Sequence, residues 1–316
     1  MRHGVVYGEK WVSMRNKSVN LHFGRRLGRL RRLFIPPGNF TRTVRLALDE
    51  KAIVVRGPHP KVRENWGDKL NPILVNHISD RTVYNDWDCF NAFDRQIYSV
   101  IGSNMQSIRH PNVVVWGTGY NSYNARPLVQ LSRVCAVRGP LSRKICLENG
   151  IDCPEIFGDP ALLAPYFLTP SSKKTHLLGI IPHMSDQKEP VLEYFRCDAR
   201  VKIIDICSGI QKVVDEITSC EYIASSALHG LIAADAYGVP SLWLRLSDNP
   251  SPDLFKYDDY YASIGYGNQE PLRNVSEYSV SQLVGRCTKK DIEVDFAALL
   301  GACPFLNRRK TGFILK

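Results

Sequence analysis

The residue best equipped for proton transfer in this chain is a histidine that follows an apolar run and sits among hydroxyls, in Ser225-Ser226-Ala227-Leu228-His229-Gly230-Leu231. An imidazole titrates near neutrality, and a helix opening at Leu228 would lower its pKa, so His229 is the candidate general acid or base. Ser226 is a candidate substrate contact beside it. Three further clusters share this setting, a strand end leading into a helix. In Asn65-Trp66-Gly67-Asp68, Gly67 permits a tight turn, Asn65 is a candidate substrate contact, and Asp68 reads as either a helix cap or a catalytic carboxylate. In Trp116-Gly117-Thr118-Gly119-Tyr120, Gly117 and Gly119 would let a ligand approach the backbone closely. Ser122 stands where a dinucleotide fingerprint needs its third glycine, which argues against NAD. In Val137-Arg138-Gly139-Pro140, Arg138 would face a cleft beside a helix N-terminus, an arrangement suited to phosphate or carboxylate; an ion pair between domains is the alternative.

These clusters need a scaffold that brings strand ends together. Short β-branched runs predict strands over 51–55, 97–101, 113–116, 133–137, 177–181, 201–206, 222–224 and 241–244. Helices are predicted over 65–78, 141–149, 210–218 and 228–237. Such alternation marks parallel sheets covered on both faces, with ligands at the carboxyl ends of the strands. The expected architecture is therefore α/β, with two Rossmann-like doubly wound domains over 51–170 and 171–316. The Pro-rich stretch from Pro160 to Lys174 is the expected crossing between them.

The 316 residues carry a net charge of +10, unevenly placed. Residues 1–63 hold 15 Lys and Arg against Glu9, Asp49 and Glu50, while the rest of the chain is close to neutral at −2. The positive charge thus belongs to an N-terminal arm over 1–50, expected to be solvated or to form a short basic amphipathic helix ended by Pro36-Pro37-Gly38. No run of eighteen apolar residues and no secretory h-region is present, and nine scattered cysteines lack a CxxC pair, which together point to free thiols in a reducing cytoplasm. No metal or cofactor is called for: His3, His22, His59, His77, His110, His176 and His183 share no ligand spacing, and Asp258-Asp259 reads as a solvated acidic turn.

Four motifs occur in an order that resembles the polysaccharide pyruvyl transferase family: Asn65-Trp66-Gly67-Asp68, Val137-Arg138-Gly139-Pro140, Gly158-Asp159-Pro160-Ala161-Leu162-Leu163 and Ser226-Ala227-Leu228-His229-Gly230. The stretch Phe255-Lys256-Tyr257-Asp258-Asp259-Tyr260-Tyr261 is similar to the branch that modifies exopolysaccharides of the succinoglycan and xanthan type. The resemblance implies a fold like that of the GT-B glycosyltransferases and transfer of pyruvate from phosphoenolpyruvate onto two sugar hydroxyls as a cyclic ketal. It implies that Arg138 holds the donor's anionic groups and that His229 acts in catalysis. Some members carry an arginine before the Leu-His pair; this chain has Ala227, and Arg245 or Lys256 is expected to replace that cation. The acceptor is expected to be a lipid-linked saccharide, with the basic arm touching the anionic inner membrane surface. Two rival readings are a glycosyltransferase using a nucleotide-sugar and a nucleic-acid-binding protein acting through the arm alone. The near-neutral remainder of the chain argues against nucleic acid as a partner.

Overall fold

Runs rich in Val and Ile become parallel strands here because both of their faces are covered, so no alternation with polar residues is needed. In the computed structural model, which describes residues 37–311 apart from 59, 60, 62, 172 and 249–252, the N-terminal half holds β1 (Ile53–Val55), β2 (Val83–Asn85), β3 (Ile97–Ser99), β4 (Val113–Trp116) and β5 (Arg133–Ala136). They pair in parallel in the order β2-β1-β3-β4-β5. The C-terminal half holds β6 (His176–Ile181), β7 (Val201–Ile203), β8 (Cys220–Ser225) and β9 (Ser241–Trp243), parallel in the order β7-β6-β8-β9. The expected strands are present and several are shorter than their apolar runs. The edge strand β2 was not expected, since Val83-Tyr84-Asn85 is only half-buried and carries no apolar run.

The helices are α1 (Pro37–Leu48), α2 (Trp66–Ser79), α3 (Pro140–Glu148), α4 (Val191–Arg196), α5 (Ile210–Thr218), α6 (Leu228–Ala236), α7 (Phe255–Ser263), α8 (Val280–Val284), α9 (Phe296–Gly301) and α10 (Arg308–Thr311). The first of these lies within the expected arm. Pro37 opens this helix, because a proline in the first turn gives up an N–H that would be unpaired there anyway. Leu46 is fully buried and the Leu46 carbonyl accepts from Arg95 Nη2 at 2.5 Å, so α1 belongs to the fold. The candidate basic helix over 21–34 lies outside the described residues.

The crossing segment is no bare linker. Pro160–Tyr166 forms a 3-10 helix whose Ala161, Leu162, Leu163 and Ala164 are buried, and it packs on α6 and α2. One apolar cluster runs from Val55 and Trp66 through these residues to Ile181, Ile223 and Leu231, so both sheets rest on a common core. The chain then returns: Trp116 Nε1 in β4 donates to the Leu299 carbonyl of α9 at 2.8 Å, and Asn307 N donates to Ile78 O of α2 at 2.8 Å. The Trp66 amide, at the start of α2, donates to Ile206 O at 2.8 Å, which fastens that helix end to the C-terminal half.

Candidate active site

The start of α2 is built by Asn65 and Asp68. Asn65 Oδ1 accepts from Gly67 N at 2.9 Å and Asp68 N at 3.2 Å, while Asp68 Oδ2 accepts from Asn65 N at 3.2 Å, a reciprocal capping box. Both readings of Asp68 therefore remain in play: it caps its helix, and it also borders two cavities. Burial, with Glu64 nearby, pushes its carboxyl up to about 6 despite the hydrogen bond from Asn65.

His229 enters from the opposite half, in the first turn of α6. Its Nδ1 lies 2.7 Å from Asn65 Oδ1. That oxygen already accepts from two backbone amides, so it is the acceptor here as well, and the imidazole must carry its proton on Nδ1. Nε2 is then left as a lone-pair acceptor; it is buried and has no hydrogen-bond partner among the described residues. Burial lowers the His229 pKa to about 3, helped by the positive charges of Lys256 and Arg138 and by His183. The ring is neutral at any ordinary pH. Gly67 makes the contact possible, since a Cβ there would lie 2.3 Å from His229 Cε1. In the Asn-Trp-Gly-Asp motif, then, Asn65 orients the imidazole, Trp66 is fully buried, Gly67 clears the space and Asp68 closes the cap.

Around these groups lies a cavity of about 250 Å³, lined also by Ser103, Asn121, His183, Met184 and Lys256. Lys256, in the first turn of α7, is lowered to about 8 by burial and by Arg138, with Asp186 opposing. His183 follows β6 and is lowered to about 4 by burial and Lys256. Its place was not legible in the sequence, because a histidine two residues past an apolar strand has no motif around it. Ser226 does not face the cavity as expected. Its Oγ donates to Asp186 Oδ2 at 2.6 Å and accepts from His183 N at 2.9 Å, so it pins the His183 loop.

Arg138 sits elsewhere than expected. Its side chain is fully buried and saturated: Nε donates to Asp259 Oδ2 at 3.0 Å, Nη2 lies 2.8 Å from the same oxygen and donates to Tyr120 O at 2.7 Å, and Nη1 donates to Ser103 Oγ. Direct contact with a ligand would require breaking these bonds, so the ion-pair alternative describes Arg138 here. Asp259, in turn, is no solvated acid; its Oδ1 accepts from Ser142 N at 2.8 Å and caps α3 from 117 residues away. Gly139 allows this, since a Cβ there would meet the Asp259 carbonyl at 1.9 Å.

The two glycines after β4 also serve packing. A Cβ at Gly117, whose φ is +97°, would lie 2.2 Å from Pro160 Cγ, and one at Gly119 would meet Ser142 Oγ at 2.6 Å and Arg138 Nη2 at 2.7 Å. Their missing side chains are filled by neighbours, not held open for a ligand. Arg245 borders a separate pocket of about 610 Å³ with Arg273 and pairs with Asp248 at 3.0 Å, so of the two expected replacement cations only Lys256 reaches the His229 cavity. All nine cysteines are free thiols, and among the described residues no three His, Cys, Asp or Glu side chains cluster as metal ligands. Among those residues no helix is long and apolar enough to cross a membrane.

The helix-capping motif, the Val-Arg-Gly-Pro turn and the Leu-His-Gly turn all lie between residues 65 and 230, on two parallel sheets. Residues 55–248 match the polysaccharide pyruvyl transferase family, and the chain belongs to it. It is 28% identical over 207 residues to an uncharacterized protein of Acanthamoeba polyphaga mimivirus, covering 64% of this chain and 71% of that one. It is likewise 28% identical over 216 residues to the succinoglycan biosynthesis protein ExoV of Rhizobium meliloti (strain 1021), covering 64% of this chain and 62% of ExoV. No solved structure matches the chain.

Proposed function

We propose that this protein transfers the pyruvyl group of phosphoenolpyruvate onto two hydroxyls of a saccharide in an exopolysaccharide precursor, forming a cyclic ketal. The observation that carries the reading is the lone-pair Nε2 of a neutral His229, without a hydrogen-bond partner among the described residues, beside a protonatable Asp68 and the cation Lys256. In this scheme Lys256 holds the donor's phosphate or carboxylate, aided by the field of the buried Arg138. Protonated Asp68 gives its proton to the methylene carbon, which makes the adjacent carbon electrophilic. A sugar hydroxyl attacks that carbon as His229 Nε2 takes its proton. Phosphate leaves with the electron pair of its C–O bond and takes the proton held by His229, and the second hydroxyl closes the ketal as its proton returns to the Asp68 carboxylate. One hydroxyl proton ends on the methyl group and the other on phosphate, so the reaction balances without a cofactor.

The test is to incubate the chain with phosphoenolpyruvate and lipid-linked or free oligosaccharides, following phosphate and product mass. The expected result is acceptor-dependent phosphate release matched one-to-one by a pyruvate ketal. Consumption of a nucleotide-sugar with no use of phosphoenolpyruvate would overturn the proposal in favour of a glycosyltransferase.

A further inference from the structure

A second imidazole borders the His229 cavity: His183, which the transfer reaction leaves without a role. It opens a tight turn after β6, in which Asp186 N donates to His183 O at 2.8 Å. Asp186 is buried and anchors that turn. Its Oδ2 accepts from Ser226 Oγ at 2.6 Å and its Oδ1 from Ser247 Oγ at 2.7 Å. His183 N donates to the same Ser226 Oγ at 2.9 Å, so the backbone that carries the ring is fixed before any ligand arrives.

The ring itself is oriented by Ser185. A backbone N–H can only donate, and that of Ser185 reaches His183 Nδ1 at 3.2 Å, with Ser185 Oγ 2.8 Å from the same nitrogen. Nδ1 is therefore the acceptor, and the proton of the neutral ring sits on Nε2. Burial and the neighbouring Lys256 lower the His183 pKa to about 4, with Asp186 opposing, so the ring is uncharged at ordinary pH. His229 has the reverse arrangement, its proton on Nδ1 toward Asn65 and its lone pair on Nε2. One small cavity thus holds two neutral imidazoles of opposite tautomer. His229 presents an acceptor, and His183 presents a donor whose Nε2 is bonded to no described residue.

We propose that the Nε2–H of His183 donates to the leaving phosphate oxygen of phosphoenolpyruvate while His229 receives the hydroxyl proton. The inference rests on the proposed transfer reaction. As the C–O bond breaks, its electron pair stays on the phosphate oxygen, and an N–H held in place beforehand stabilises the charge that grows there. His183 keeps its own proton throughout; the proton that phosphate acquires is the one taken up by His229. Lys256 supplies the charge that binds the donor, whereas the bond from His183 strengthens as the transition state forms, so it acts on turnover more than on binding. A ring protonated on Nδ1 would aim a lone pair at the phosphate and repel it, which is why the Ser185 turn matters.

The first readout is the tautomer, by nitrogen NMR of the full chain carrying isotope-labelled histidine, with His183→Gln assigning the signals. The expected result is protonation on Nε2 for His183 and on Nδ1 for His229, with the His183 Nε2 signal moving when inorganic phosphate is added. The second readout is phosphate affinity by calorimetry and turnover of phosphoenolpyruvate with acceptor. His183→Leu should weaken inorganic phosphate and lower kcat, the latter by about tenfold or more, with a smaller change in KM. His183→Gln, whose amide N–H lies close to the place of Nε2, should recover most of the loss, a rescue that a role confined to holding the turn would not give. The tautomer readout uses the parent chain and stands if His183→Leu does not fold. A ring protonated on Nδ1, or folded His183→Leu with parent-like kcat, would overturn the role of His183 and leave the transfer reaction standing. Phosphate binding that depends on His183, with no ketal formed from any acceptor, would uphold the donor and overturn the reaction instead.

Discussion

Two helix starts in the N-terminal half are both met by a side chain from the C-terminal half, and they end in opposite states. At α2, Asn65 caps the helix and hands His229 an acceptor, which leaves Nε2 as a lone pair with no hydrogen-bond partner among the described residues. At α3, Asp259 caps the helix through Ser142 and pairs with Arg138, and every nitrogen of that guanidinium has a partner. The second junction is fully buried, whereas the first is half-buried and lines a cavity. The first keeps a reactive valence, and the second spends all of its hydrogen bonds on holding the halves together. Saturation, more than residue type or position at a strand end, is what separates the proposed catalytic junction from the structural one.

The strongest way to break this contrast is at the saturated junction. Arg138→Met leaves the Asp259 carboxylate buried without its cation and should cost about 3–5 kcal/mol of unfolding free energy, measured by urea denaturation. Removing Asp259 as well should restore only part of this, because Ser142 N then loses its acceptor. A loss below about 1 kcal/mol for Arg138→Met would mean the guanidinium is not structural. At the open junction the balance should reverse. Gly67→Ala drives a methyl into the His229 ring, and a displacement of about 1 Å should lower kcat by roughly 10²-fold. Its melting temperature should fall far less than that of Arg138→Met, and a purified variant with full turnover would show that the ring position is immaterial.

A smaller effect concerns pH. Lys256 is lowered to about 8 by burial first and Arg138 second, so it is cationic below that pH and neutral above. Affinity for phosphoenolpyruvate in the free enzyme should therefore fall as pH rises through about 8. Lys256→Arg, whose guanidinium stays charged, should carry full affinity past pH 9 in a calorimetric titration. An alkaline loss unchanged in that variant would place the titrating group elsewhere. His229 contributes nothing to this limb, since it is neutral down to about 3.

Much of the scaffold was readable because buried parallel strands are local: Ile-Val-Val at β1 and Val-Val-Val-Trp at β4 announce themselves by composition alone. His229 and Asn65 were readable for a similar reason, as polar residues at the ends of apolar elements. What escaped depends on partners distant in sequence. Gly119 looks like a ligand-facing glycine until Arg138 and Ser142 fill its space, and Arg138 looks like an anion site until Asp259 arrives from 121 residues on. Edge strand β2 lacks an apolar run because half of its surface is uncovered. The segment 86–94 mixes acids with aromatics in no regular period, so nothing in its pattern shows that Trp87 and Phe93 border a cavity.

The most direct test of the open junction is turnover by His229→Ala, measured as phosphate released from phosphoenolpyruvate in the presence of acceptor, alongside its melting temperature. Loss of a positioned base predicts a fall of about 10²–10⁴-fold with melting within a few degrees of the parent. Parent-like turnover in the folded variant would contradict the assignment of His229 as the group that takes the hydroxyl proton.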